Sequence, residues 1–442
     1  MTFASLPMIL YVLPLFVIFA AVVPEQWKSG VLALGGLATV YVTGGFPSLI
    51  LLLISVSAAW LVIRLQPKKT HTHHHRAEIW LYSGIGFQAL LLLAKLILDD
   101  LAMLPLVICA MQGVECMSDH ANNRIHIPSL SAFFGYQCDM TRLSAGPVLN
   151  LQTAEQLRSE RNVSAKHIGQ GAARCIRGLF QLVCLGLPML SLQNTLKVGT
   201  VLHSTSDALL AALSFYLFLF YGLKGTAQIG QGIAQMLGYN YPDSFSEPIL
   251  ADSLQDFRKR FLTPLYDWAE RVLQLENGVH DDAAYFARLT LLLGGLGLVM
   301  GRGGCGLLWG VLAALVLTAE HIYLEKKLYM PPIQMRRVLV IAIILFSMGL
   351  LRSRNIIECF GFYAALLGIN GIMLSDTAAY LIRENWLVLL LCTVGLFPLR
   401  RMLHRLPTGK SLHIFYLVIK GLTELLMLLW AYSELLSRYL RT

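Results

Sequence analysis

"SLQDFRKRFLTPLYDW" occupies residues 253–268, in the middle of a chain that otherwise reads as membrane. Leu254, Phe257, Phe261, Leu265 and Trp268 recur at three- and four-residue steps, and Val272 continues the series. The spacing predicts one amphipathic helix over 253–272, with Arg258, Lys259 and Glu270 mostly off its apolar face. Three consecutive cations and an aspartate do not belong in hydrocarbon. Such a helix lies in the membrane interface or lines a protein-walled cavity, where polar groups are tolerated.

On either side the text turns apolar. The 442 residues are 56% hydrophobic and only 14% charged, with a mean hydropathy of +0.61; an ordinary soluble domain is about 25% charged. Apolar runs fall at 7–23, 30–45, 47–63, 79–104, 173–191, 204–223, 287–300, 304–319, 337–351, 355–374, 385–399 and 414–437. A straight span needs about 20 residues, so the shorter runs imply tilted, kinked or re-entrant segments. The expectation is an all-α polytopic membrane protein with roughly 10–12 transmembrane helices. Re-entrant and interfacial helices surround a central cavity, in one domain over 1–442. Residues 1–23 lack a basic leader and a small-residue cleavage site and read as the first helix.

The formal net charge of +9 comes from loops at 64–76, 158–177, 258–271, 326–337 and 400–405. It reads as the cytoplasmic excess of Lys and Arg, not as a nucleic-acid footprint. The eight cysteines form no C-x-x-C pair and read as small buried apolar residues. "HTHHH" at 71–75 is five residues of loop, not four ligands converging from a fold, so no metal is expected. His120 and His126, with Asp119 and Arg124, read as a solvated polar loop, as do His280, Asp281 and Asp282. Two stretches, 129–148 and 222–238, fit neither a clean span nor a clean loop.

From residue 241 on, the sequence resembles the membrane-bound O-acyltransferase superfamily, on the branch of the alginate O-acetyltransferases and the D-alanyl transfer protein of teichoic acid synthesis. The family pattern P-E-N-F-x-x-P-Y-L-x-x-S-I-x-D-F-W-R-R-W-H is met without a gap by Pro242-Asp243-Ser244-Phe245, Pro248-Ile249-Leu250, Ser253-Leu254 and Asp256 to Leu262. Trp268 falls where the family has its next Trp. "RLSAGPVL" from Arg142 resembles F-P-x-L-x-A-G-P-I, and "RCIRGLFQLV" from Arg174 resembles R-G-L-F-K-K-V. "GLVMGRGGCGLLWGVLAALVLTAEH" from Gly297 resembles G-L-W-H-G-A-x-x-x-F-x-L-W-G-x-x-H-G-x-x-L-x-x-E-R, with Trp309, Gly310 and Glu320 in register. The resemblance covers about residues 1–330; the helices of 331–442 carry no recognisable motif.

In that register the family's catalytic His falls on Met300, its second His on Leu262 and a third on Ala313. Its acidic pair falls on Gly222 and Gln228, and its Arg-Asp pair on Glu270 and Arg271. Acyl transfer to a hydroxyl needs a base to take the proton, worth about 10²–10⁴-fold in rate. Neither a thioether nor an alkyl side chain can supply it. The resemblance therefore implies the family fold with no intact catalytic residue. Arg142, Asp256, Arg258, Arg260, Trp268, Arg302, Trp309, Glu320 and His321 are the candidates for contacts with a donor or acceptor. The glycines of 301–306 are no phosphate loop and read as a helix break or a close packing point.

The setting this implies is a multi-pass protein of the bacterial inner membrane, in an exopolysaccharide or cell-wall O-acylation system, acting as a partner or scaffold. No bound cofactor is expected; an acyl-CoA or acyl-carrier donor enters only if the chain is active. Implied partners are membrane lipids, a periplasmic acyltransferase or polysaccharide synthesis or export component, and an active paralogue. Two other readings stay open: an acyltransferase with a different base, and a transporter or polymer-export subunit.

Overall fold

The computed structural model describes residues 13–68, 74–93, 103–143, 146–196, 204–275, 281–301, 304–326, 331–369, 371–397 and 410–441. Their regular structure is helical, without strands. Contacts divide the chain into two compact units.

The first unit comprises Met1–Leu179, Gly225–Asp243 and Ala431–Thr442. Its axis is α2 (Glu25–Leu65), preceded by α1 (Leu13–Val22). The sequence runs 30–45 and 47–63 join in α2 across a break at Gly45, whose φ of +67° suits glycine, two residues before Pro47. Helices α3 (His74–Leu93), α4 (Met103–Ala121), α5 (Leu130–Gln137) and α6 (Met140–Leu143) pack beside it. Polar ties fix the register inside this apolar bundle. Ser55 Oγ donates to Gln88 Oε1 (2.6 Å), Gln88 Nε2 returns a bond to the Ser55 carbonyl, and Trp60 Nε1 reaches the Pro128 carbonyl. A Cβ on Gly36 would strike the Cys138 carbonyl oxygen, so only glycine lets α2 approach that turn. Helix α7 (Leu151–Ser159) and α8 (Ala165–Phe180) as far as Leu179 also belong to this unit.

The second unit comprises Phe180–Lys224 and Ser244–Trp430. A π-helical turn, Gln181–Gly186, leads into α9 (Leu187–Thr195). Helix α10 (Thr205–Met236) follows, its residues up to Lys224 in this unit. The stretch read as one amphipathic helix is two: α11 (Leu254–Phe261) and α12 (Thr263–Leu273). The cause is Pro264, which lacks an N–H and whose ring excludes the carbonyl four residues back. That carbonyl, on Arg260, accepts from Ser246 N instead (2.9 Å), and Thr263 N donates to the Ser244 carbonyl. Leu262 sits at the break with φ −144° and ψ 72°.

Helices α13 (Asp282–Met300) and α14 (Gly304–Glu325) form a hairpin whose break falls within the glycines of 301–306. The two backbones nearly touch. A Cβ on Gly297 or Gly306 would collide with the other's carbonyl oxygen, and one on Gly310 would meet the Gly294 backbone. Then come α15 (Ile333–Arg352), α16 (Ile356–Leu366), α17 (Asp376–Glu384), α18 (Trp386–Gly395) and α19 (Lys410–Arg441).

Among the described residues, six helices are long and apolar enough to cross a membrane: Gln26–Leu65, Ala165–Thr195, Thr205–Met236, Asp282–Met300, Gly304–Glu325 and Ile333–Arg352. The pair α17 and α18, bent by 73°, makes a seventh if it is one broken span. Large apolar side chains such as Leu34, Leu291, Leu315 and Val338 are exposed along these helices, as a lipid-facing surface requires. All eight cysteines are unpaired, and seven are buried.

Candidate functional site

The site is built on the broken amphipathic segment. Ser253 caps α11, its hydroxyl accepting from Asp256 N (2.9 Å). Glu320, from α14, places its carboxylate at the same helix end: Oε1 accepts from Leu254 N and Oε2 from Gln255 N, both 2.9 Å. A carboxylate is favoured there because the first amide N–H groups carry the positive end of the helix dipole. One long-range contact thus fastens α11 to α14.

Asp256 and Arg260 are four residues apart on α11 and face each other, Arg260 Nε lying 2.8 Å from both carboxylate oxygens. Phe257 stacks on Phe261 (centroids 5.3 Å), and Phe245 meets Phe261 edge-on (5.8 Å). This aromatic cluster holds the segment against α10, where Tyr216 and Phe220 contact Phe261.

Behind the segment lies a cavity of about 360 Å³ within the second unit. Leu262, Met300 and Ala313 all line it. The three positions where the resemblance expects histidine therefore converge on one space, from the α11–α12 break, the end of α13 and the middle of α14. Arg258 and Trp309 line it too, as do Ile343, Phe346 and Ser347 of α15. Among the lining residues only Tyr216, Arg258, Trp309 and Ser347 carry a side-chain nitrogen or oxygen. Ser347 Oγ is taken by the Ile344 carbonyl (2.8 Å).

The remaining candidates have other roles. Trp268 is buried in α12 and does not line the cavity. His321 stacks on Tyr285 (centroids 4.4 Å), with Nδ1 3.4 Å from Gln255 Nε2 and Nε2 3.3 Å from Glu325; it too is off the lining. Arg142 belongs to the core of the first unit. It is 1% exposed, pairs with Asp139 (3.4 Å), lies over the Tyr136 ring (4.8 Å) and donates to the Tyr136 carbonyl. Asp139 also accepts from Thr141 Oγ1 (2.7 Å). Arg302 lies outside the described residues, as do His280 and residues 71–73 of the histidine run.

His120 corrects the reading of a solvated loop. It is 1% exposed at the end of α4, with Nε2 3.3 Å from the Gln66 carbonyl. Burial pushes its pKa below the usual imidazole value, against the raising effect of the Gln66 and Ile125 backbone bonds. The cause is packing by residues distant in sequence, which local polarity does not report. His126 is exposed, as expected. Among the described residues no three His, Cys, Asp or Glu side chains gather as a ligand set.

Sequence reasoning missed the α15 wall, because Phe346 and Ser347 belong to no motif. It missed the capping role of Glu320, which only the fold reveals. The Asp256–Arg260 spacing of four was a usable signal, since such a pair meets on one helix face.

No family model matches the chain. Among curated proteins it is similar to the "Probable alginate O-acetylase AlgI" of Azotobacter vinelandii, 23% identical over 255 residues, covering 56% of this chain and 50% of the relative. The proteins of the same name from Pseudomonas syringae pv. tomato and Pseudomonas aeruginosa are 24% and 22% identical, each match covering 56% of this chain and 48% of the relative. The match spans about half the length of these relatives. With four motifs in order and an all-helical polytopic fold, the chain's similarity to these O-acetylases over about half of their length supports a place for it in the membrane-bound O-acyltransferase superfamily.

Proposed function

We propose that the protein is a non-catalytic partner or scaffold in a bacterial polymer O-acylation system, seated in the inner membrane. The observation that carries this is the cavity at the family's histidine positions, lined there by Met300, Leu262 and Ala313. Acyl transfer to a sugar hydroxyl requires a general base within hydrogen-bond reach of that hydroxyl. The cavity wall offers an arginine, a tyrosine, an indole and a serine, and none accepts a proton near neutral pH. Of the retained polar residues that keep an active enzyme open, Asp256 and Arg260 engage each other and Arg142 engages Asp139, while Trp309 lines the cavity but offers only an indole N–H donor.

The test is polymer acylation in cells carrying the wild type, a deletion, and Met300→His combined with Leu262→His. Deletion is expected to lower acylation only where an intact acyltransferase is also encoded, and the two histidines are expected to add nothing. Acylation that depends on this chain in a genome without another acyltransferase overturns the reading. So does turnover of an acyl donor by the purified wild type.

A further inference from the structure

The cavity wall carries a feature that loss of the histidines does not explain. Arg258 lines an almost wholly apolar space, and its Nε, Nη1 and Nη2 are buried without a hydrogen-bond partner among the described residues. Its one described partner is the face of Tyr266, 5.2 Å from ring centroid to Cζ. Lys259 sits 5.1 Å from the same ring, so Tyr266 already serves a second cation. Asp256 of α11 and Glu320 of α14 are engaged: Asp256 holds Arg260, and Glu320 holds the α11 amides. A buried guanidinium without an anion is costly, and its planar fork matches a carboxylate or phosphate. Trp309 adds a second donor, since Nε1 is also buried without a hydrogen-bond partner. The polar equipment of the cavity is thus donors facing apolar walls, which is the complement of an anionic head with an apolar tail.

The walls also indicate where such a molecule comes from. Leu312 and Val316 of α14, and Ile343 and Phe346 of α15, line the cavity while being 39–50% exposed on the outer surface. Both helices are apolar enough to span a membrane. What surrounds these side chains in a bilayer is lipid chain, continuous with the interior of the cavity. Its volume falls toward the low end of ligand pockets, which run from roughly 300 to 1,000 Å³.

We propose that the cavity holds one acyl chain of an anionic amphiphile, admitted between α14 and α15, with its carboxylate or phosphate on the Arg258 guanidinium. This rests on the non-catalytic reading above, in that the chain is held and not transferred. The substituted histidine positions Met300, Leu262 and Ala313 form the apolar wall that the tail packs against.

The test uses the full chain purified in a neutral detergent and stripped of lipid. The probe is dibromostearate, whose bromines quench tryptophan on contact. Saturable quenching is expected in the wild type and is lost in Trp309→Phe. Arg258→Gln is expected to weaken it at least tenfold, and dibromostearyl alcohol, with no charge, to bind the wild type as weakly. Ala313→Phe, which fills the tail site and leaves Arg258 in place, removes it by an independent route. Thermal melting in the absence of the probe establishes that each variant is folded. Displacement by oleate or by oleoyl-lysophosphatidate supports the proposal and identifies the head as carboxylate or phosphate. Equal binding to wild type and Arg258→Gln overturns it, and so does displacement by inorganic phosphate alone. Turnover of an acyl donor sinks the non-catalytic reading and leaves a positive binding result standing; absent quenching sinks this inference and leaves that reading intact.

Discussion

Arg142 shows how a motif residue can belong to the fold and not to the chemistry. Its charge is buried with that of Asp139, both side chains being 3% exposed or less. Asp139→Asn leaves the guanidinium uncompensated, and breaking a buried pair from one side costs about 3–5 kcal/mol. The expected result is a marked fall in melting temperature in detergent. The double substitution Asp139→Leu with Arg142→Met should recover much of that fall, because an apolar pair of similar volume is often as stable. If the double variant melts no higher than the single one, the pair contributes more than charge compensation. From sequence alone, Arg142 reads equally well as a cavity residue, since its partners Tyr136 and Asp139 identify themselves only when the chain is folded.

At the scale of elements, the α13–α14 hairpin is held together by absence of side chains. Gly306→Val drives a branched side chain into the Gly297 backbone and is expected to abolish recovery of monodisperse protein. Gly295→Ala, where an added Cβ meets nothing within 4 Å, should be neutral or stabilising by up to about 1 kcal/mol, the helix-propensity gain. Comparable behaviour of the two variants would remove the hairpin argument. Glycine spacing in the sequence pointed to this packing, and the break at 301–306 was legible there. The break at Leu262 was equally available, because Pro264 cannot continue a helix begun at Leu254. Apolar periodicity hid it, as the same stripe runs through both helices. The fold class was legible because it depends on the length and composition of the apolar runs. The α15 wall was not, because long-range packing leaves no local pattern in an all-apolar helix.

For the molecule as a whole, the cavity wall has a consequence for how it responds to its surroundings. Among the described residues, one tyrosine and one arginine are the only lining side chains of an ionisable type; no carboxylate, imidazole or amine joins them. Any proton dependence of occupancy must therefore come from the guest. A fatty carboxylate would tighten as it loses its proton and bind with a flat profile above that step. A phosphate monoester, whose second proton leaves near pH 6, would tighten across that step. Occupancy measured against pH thus titrates the ligand instead of the protein, and the cavity serves as a fixed reference electrode for whatever enters it.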